Sequence, residues 1–383
     1  MFPGDPLHIG NVFTTHVEKG TALLASLKTF LNRQCKNRQS MANILDVAKR
    51  AGVSISTVSR VLNGKDHVNE DVIIRVRQAA QELQYQPSRA ARALRANQTT
   101  IIGLLITDIQ NPFFTALVRG VEDVAQRNGY SLILCNSDED PHKERQYIEV
   151  LCAERVAGAI ITPTREQQRA LKLFREHNIP IVTVDRRVKD NETDAVLVDN
   201  VRGAREATAH LLANGYRHIG IISGPIATTT GHERLEGYRQ ALREAGIVHN
   251  PELERVGSFK EESGQQLTYE LLDRGQPLDA LFIANNLMTL GALAALNERG
   301  KRIPEDIGVV GFDEMQWASL NAISLTTVAQ PIYEIGSTAA LRLFQRLQNP
   351  AAFTRQEIVL APTLRVRDSS RPRPDVLANQ ASV

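Results

Sequence analysis

Cysteine is scarce and poorly spaced. Cys35, Cys135 and Cys152 form no Cys-x-x-Cys pair and are odd in number. The sequence therefore offers neither a disulfide framework nor a cysteine zinc site, which fits a reducing cytosol. Long apolar runs are absent as well: none approaches the ~20 residues of a membrane span, so no membrane partner is expected. The N-terminus lacks a basic stretch followed by an apolar core, the pattern of a secretory signal. Neither a G-x-G-x-x-G nor a Walker lysine motif occurs. That removes dinucleotide and triphosphate sites, and no cofactor or metal is expected.

Charge of one sign is missing too, with a net of only +2, but the balance hides a division. Residues 1–40 hold five Lys/Arg against two Asp/Glu, and residues 41–100 hold nine against five, which leaves the remaining 283 residues at −5. A basic front on an acidic body suggests a head that binds a polyanion, joined to a separate machine. The length, 383 residues, suits two or three domains. Residues 1–40, with "TALLASLKTFL" at 21–31 as their one amphipathic stretch, read as a disordered extension or as chain upstream of a natural start at Met41.

From Met41 the text changes. In "NILDVAKRAGVSISTVSRVLNG", Ile44, Val47, Ala48 and Ala51 recur at helical spacing before Gly52 breaks the pattern. Ser54 can cap a second helix that turns Val58, Val61 and Leu62 inward. Its outer face carries Ile55, Ser56, Thr57, Ser59 and Arg60. A third helix, about Glu70–Gln84, puts Val72, Val76, Ala79, Ala80 and Leu83 on one face. Two short helices joined by a Gly-containing turn are a helix-turn-helix. The polar edge of the second suits a DNA major groove, with Arg60 positioned to grip a guanine with two hydrogen bonds. Ile55 offers apolar contact and Ser56 is chemically permissive, while Lys49, Ser54, Thr57, Asn63 and His67 read as phosphate or positioning contacts.

The run "DVAKRAGVSISTVSRVLNG", Val68 and "LQYQPSRAARAL" closely resemble the head of the lactose-repressor/galactose-repressor (LacI/GalR) family of bacterial transcription regulators, and the likeness continues to about residue 368. It implies that "SRAARALRAN" (88–97) is a hinge that becomes helical on operator DNA. Paired hinges from two protomers would lie in the minor groove and drive a leucine, here Leu94, between base pairs. Arg92 and Arg95 flank it, Pro87 can start the turn and Ser88 can cap it. An apolar wedge of this kind unstacks a base step to gain a bent duplex that meets more protein. The same resemblance makes Ile55 and Ser56 the principal discriminating positions.

Beyond residue 100 apolar runs alternate with helical ones. "IIGLLI", "SLILC", "GAIIT", "PIVTVD", "AVLVD", "HIGIIS", "ALFIA" and "GVVGF" are separated by stretches such as "FTALVRGVEDVAQRNG" and "RLEGYRQALREAG". This is the βαβ pattern of parallel sheets. Two such sheets suggest two lobes, with ligands bound at the carboxyl ends of the strands. Asn111, Phe113 and Phe114 follow the first strand, and Asp185 and Arg186 end another. Arg234 stands near a helix start, Asn285 and Asp313 each end an apolar run, and Gln330 follows "LTTVA". "GPIATTTG" (224–231) reads as a loop. Carboxylates, amides and guanidinium groups converging there suit a polyol, with aromatic rings covering its C–H faces. Singly, Asp185 or Asp313 is also explained as a cap or a loop salt bridge, and Pro112 with Asn111 as a helix start.

The body is similar to periplasmic sugar-binding proteins of the ribose type. That resemblance implies a binding set of Asn111, Phe113, Phe114, Asp185, Arg186, Arg234, Phe259, Asn285, Asp313 and Gln330. Thr162 departs from it, standing where an Asn is expected and shortening one contact, so a pentose or related monosaccharide is expected rather than ribose in particular. The fold expected is α/β. A helix-turn-helix head (41–86) and a hinge (87–100) precede a two-lobed, periplasmic-binding-protein-like body with parallel sheets (101–368). Its first lobe covers about 101–199 and 330–350, its second about 200–329 and 351–368, before a flexible tail (369–383). "PIYEIGSTAALRLFQRL" (331–347) reads as a long amphipathic helix returning to the first lobe, with exposed apolar residues available for a homodimer. The tail lacks leucine heptads, so no tetramerising coiled coil is expected.

The function expected is an effector-controlled, cytoplasmic repressor that binds double-stranded operator DNA at the nucleoid. The alternatives are a sugar receptor without DNA function, opposed by the basic head, and an enzyme using Asp185 and Asp313 as an acid/base pair. No nucleophile–base pair accompanies those carboxylates.

Overall fold

Capping chemistry opens the first helix. The Asn43 side chain accepts the Leu45 and Asp46 N–H groups at 2.8 and 3.1 Å, and the Asp46 carboxylate accepts the Asn43 N–H at 2.9 Å. This capping box starts α1 (Ile44–Ala51). Gly52, at φ +67°, ends it in the left-handed conformation that glycine adopts freely. Ser54 Oγ then accepts the Thr57 N–H at 3.2 Å at the start of α2 (Ile55–Leu62). Asn69 caps α3 (Glu70–Glu82), which stops two residues short of the expected end. Val47, Ala48, Ala51, Val58, Val61, Val76 and Ala79 bury one small core. The computed structural model describes residues 42–62, 68–85, 99–166, 169–190, 192–315, 324–349 and 354–372. The chain divides into two compact units between residues 97 and 98.

The body begins with β1 (Ile101–Ile106), α4 (Pro112–Arg127), β2 (Ser131–Asn136), α5 (Pro141–Ala153), β3 (Gly158–Ile161), α6 (Lys172–Glu176), β4 (Ile181–Val184) and β5 (Asp194–Val198). It crosses over through α7 (Asn200–Ala213) to β6 (Ile219–Ser223), α8 (Thr229–Glu244), β7 (Glu254–Val256), α9 (Glu261–Asp273), β8 (Ala280–Ile283), α10 (Asn286–Glu298), β9 (Gly308–Phe312) and β10 (Thr326–Ala329). It ends with α11 (Ile332–Gln348), β11 (Glu357–Leu360) and β12 (Thr363–Arg365). Two six-stranded sheets result, ordered β11-β5-β4-β3-β1-β2 and β12-β10-β9-β8-β6-β7. Every pairing is parallel except β12 on β10. Helices cover both faces, so central strands such as β3, β4, β8 and β9 are buried along their whole length. This is why they read as unbroken apolar runs.

Two expected boundaries move. Residues 351–368 do not all join the second lobe, because β11 pairs with β5 of the first sheet. Buried Asp194, at the start of β5, is the anchor. Arg342 Nε and Arg346 Nε of α11 each donate to its Oδ2 at 2.7 Å, and the Gln356 N–H donates to its Oδ1 at 2.7 Å. The chain therefore leaves α11, completes the first sheet and only then crosses back, at Ala361–Pro362. The tail also starts later than 369. Ser369 Oγ donates to the Val309 carbonyl at 2.7 Å, and the Arg371 carbonyl accepts the Tyr216 hydroxyl at 2.9 Å. Residues 369–371 are thus tied to the second lobe. The loop read at 224–231 is loop only to Thr228, whose hydroxyl accepts the Gly231 N–H at 3.2 Å and caps α8. The extension 1–40 lies outside the described residues.

Candidate effector cavity and DNA-reading face

Both sheets present their carboxyl ends to one cavity. From the first lobe come Asn111, Phe113 and Phe114 at the start of α4, and Asp185 and Arg186 beyond β4. From the second come Arg234 on α8, Phe259 before α9, Asn285 before α10 and Asp313 after β9, with Gln330 on the crossing from β10 to α11. These are the ten residues singled out from the sequence, and all of them line the cavity. Asp108, Glu139, Thr230 and Lys260 also line it and were missed. Thr162 is fully buried but does not line it. The missed residues share a local signal, since each lies within a few positions of a strand end or of a residue already chosen. Asp108 heads "DIQNPFF", Glu139 follows β2 by three residues, and Lys260 follows Phe259.

Backbone strain concentrates here. Glu139 (φ +60°), Asp185 (+64°), Phe259 (+64°) and Asp313 (+75°) all occupy the left-handed region without being glycine, a conformation that costs on the order of 1–3 kcal/mol and clusters at functional sites. Phe259 also depends on Gly224: a Cβ at position 224 would lie 2.0 Å from the Phe259 ring. The Phe113 and Phe114 rings pack edge to face with centroids 5.0 Å apart.

Several polar groups are already committed. Asn285 Oδ1 accepts the Met288 N–H at 2.9 Å and its Nδ2 donates to the Phe259 carbonyl at 3.1 Å, so Asn285 positions Phe259 and caps α10. Asn111 Oδ1 accepts the Phe113 N–H at 2.9 Å and, from the opposite lobe, Asn286 Nδ2 at 2.8 Å. Lys260 donates to Asp108 across the cleft at 2.5 Å. Arg234 donates to Asn200 Oδ1 at 2.9 Å and to the Ala284 carbonyl at 2.6 Å, and stacks 3.8 Å from the Phe312 ring centroid. Arg187 links Glu233 of the second lobe to Glu357 of the first. The lobes are therefore in contact through Asn111 and Asn286, Asp108 and Lys260, and Arg187 and Glu233.

Asp185 and Asp313 are less well compensated. Burial pushes the Asp185 carboxyl up to about 6, with Arg186 and Arg234 opposing the rise and Asp313 adding to it. Burial also raises Asp313, against Arg234 and a hydrogen bond from Gln330. Arg186 Nε, 3.5 Å from Asp185 Oδ2, makes no hydrogen bond, and Gln330 Oε1 is buried without one. Unsatisfied acceptors and donors beside aromatic faces can grip vicinal hydroxyls. Among the described residues no group of His, Cys, Asp and Glu could hold a metal ion.

In the head, Ser54, Ile55, Ser56 and Arg60 are exposed and Thr57 is half-buried, on the side of α2 away from the core. Ser54 Oγ pairs with the Ser56 and Thr57 hydroxyls at 2.7 and 2.9 Å, so it organises that edge as well as capping it. Asn63, His67, Ser88, Arg92, Leu94 and Arg95 lie outside the described residues. No helix among those described is long and apolar enough to cross a membrane.

A helix-turn-helix reader joined to a two-lobed binding body defines a ligand-responsive, DNA-binding regulator. Comparison with known proteins takes this further. "Bacterial regulatory proteins, lacI family" matches residues 43–88, and "Periplasmic binding proteins and sugar binding domain of LacI family" matches residues 99–364. The chain is 40% identical over 333 residues to a ribose operon repressor of Halalkalibacterium halodurans, covering 86% of this chain and 98% of that one. It is 36% identical to the HTH-type transcriptional repressor PurR of Pasteurella multocida, covering 87% and 100%. Among solved structures, the lac repressor dimer bound to operator superposes with a TM-score of 0.77 at 29% identity, covering 86% and 99%. A LacI family regulator from Enterococcus faecium with bound ribose superposes at 0.64 with 33% identity, covering 71% and 99%. The chain belongs to the LacI family of bacterial DNA-binding transcriptional regulators, which are not enzymes.

Proposed function

We propose that this chain is a repressor whose grip on operator DNA is set by a pentose or related monosaccharide bound between the lobes. The observation that carries the reading is the cavity itself. Two buried carboxylates and an unsatisfied amide oxygen stand beside Phe113, Phe114 and Phe259, an arrangement matched to the hydroxyls and C–H faces of a sugar ring. The likeness to a ribose operon repressor and to a ribose-bound regulator supports the same class.

The ten residues singled out from the sequence would hold the effector. Ser54, Ile55, Ser56, Thr57 and Arg60 would meet the operator, with Asn63, His67, Ser88, Arg92, Leu94 and Arg95 beyond the described residues. The protein would act as a homodimer in the bacterial cytoplasm. Leu341 and Tyr333 on α11 are exposed apolar residues available for that contact. Sugar binding would shift one lobe against the other and change whether the hinge helices form, coupling effector and operator by about 1–3 kcal/mol.

The test is a gel-shift titration of DNA upstream of the chain's own gene, with and without a panel of pentoses and hexoses. One sugar should change operator affinity about fivefold or more, and Leu94→Ala should lose operator binding while keeping its fold. Affinity indifferent to every sugar would end the reading.

A further inference from the structure

The polar group that faces the cavity beside Arg186 is Glu139. It lies three residues beyond β2, in left-handed backbone at φ +60°, with its N–H donated to the Thr107 carbonyl at 3.1 Å. Its two carboxylate oxygens accept Arg186 Nη1 at 2.7 Å and Nη2 at 2.6 Å, a bidentate fork. Arg186 Nη1 also reaches the Pro163 carbonyl at 3.4 Å, next to Thr162, which stays out of the cavity. Arg186 is therefore not a free cation waiting for an anion. Both of its terminal nitrogens are engaged, and only Nε has no hydrogen bond.

The charges around the cavity follow the same logic. The lining holds the carboxylates of Asp108, Glu139, Asp185 and Asp313 against the cations Arg186, Arg234 and Lys260. Lys260 is paired with Asp108, and Arg186 with Glu139. Arg186 also lies 3.5 Å from Asp185, and Arg234 faces both Asp185 and Asp313, so four carboxylates stand against three cations where a ligand would sit. A second anion entering would meet like charge in a desolvated site where both terminal nitrogens of Arg186 are already held by Glu139. A neutral ligand rich in hydroxyl donors meets no such opposition.

We propose that Glu139 is a specificity-determining residue, which holds Arg186 and makes the cavity select an uncharged polyol over its carboxylate or phosphate derivatives. This rests on the sugar reading above. The experiment is calorimetric titration of the full chain at pH about 8. Neutral pentoses and hexoses are compared with their aldonates, uronates and phosphate esters, for the wild type, Glu139→Gln and Glu139→Asp.

The wild type should bind a neutral sugar and reject the matching anions by about thirtyfold or more. Glu139→Gln should shrink that ratio about tenfold by releasing the Arg186 fork and removing a negative charge, while Glu139→Asp, which keeps the charge, should stay near the wild-type ratio. An unchanged ratio in Glu139→Gln overturns the role of Glu139 alone. Wild-type protein that binds anion and neutral sugar equally overturns it without any variant. If neither kind of sugar binds the wild type, the sugar reading falls and this assignment with it.

Discussion

Asp185→Asn isolates a destabilising charge that the body keeps buried at neutral pH. Asp185 is only 8% exposed, and burial lifts its carboxyl to about 6 from an ordinary 3.8. An acid whose pKa is raised by folding leaves the native state unpenalised below the unfolded value. It loses stability as pH climbs from that value through the folded one, and the loss is complete above it. Two pH units at about 1.4 kcal/mol each put the full penalty near 3 kcal/mol.

Asparagine has nearly the same shape, cannot ionise, and is among the residues that tolerate left-handed backbone, so the φ of +64° adds no strain. The variant should therefore be more stable than the wild type by up to about 3 kcal/mol at pH 8, and by only about 1 kcal/mol near pH 4.5. Urea unfolding of both proteins at the two pH values measures this as a shift in midpoint at constant slope. Effector affinity should fall in the same variant, because an ionised acceptor for two hydroxyls has gone. A variant less stable than the wild type at pH 8, or a gap that does not narrow in acid, would refute the account of Asp185 as an under-compensated buried charge.

Gly224→Ala should displace the Phe259 ring, which sits 2.0 Å from the new methyl. Fluorescence or calorimetric titration should show effector affinity down about tenfold or more, with operator affinity in the absence of effector unchanged. Lys260→Met leaves Asp108, 7% exposed on its side chain, without its partner from the opposite lobe. Because Lys260 is itself one-third exposed, the expected loss is modest, about three- to tenfold in effector affinity, carried mostly by a faster off-rate in stopped flow.

Most of the candidate cavity was legible because parallel strands advertise their own ends. Asp185, Asn285, Asp313 and Gln330 each follow a short strand-like run, and in an alternating βαβ pattern the carboxyl ends of such strands converge. Asn111 was legible twice over, as a cap before Pro112 and as a cavity residue, and the structure uses it as both. What the sequence did not disclose was pairing. Nothing in "SDED" distinguishes Glu139 from its acidic neighbours until the turn after β2 brings it under Arg186, 47 positions away. The link between Asp108 and Lys260 spans 152 positions. The lobe boundary slipped for the same reason: β11 is short and alternates in burial, so its allegiance is fixed by Asp194 and Arg342 rather than by its own composition. Strand periodicity is a local property and survives in the text, whereas charge compensation is a tertiary one. The features hardest to read here are thus the ones that would decide which ligand the cavity accepts: how many of its cations remain uncommitted once every carboxylate has found its partner.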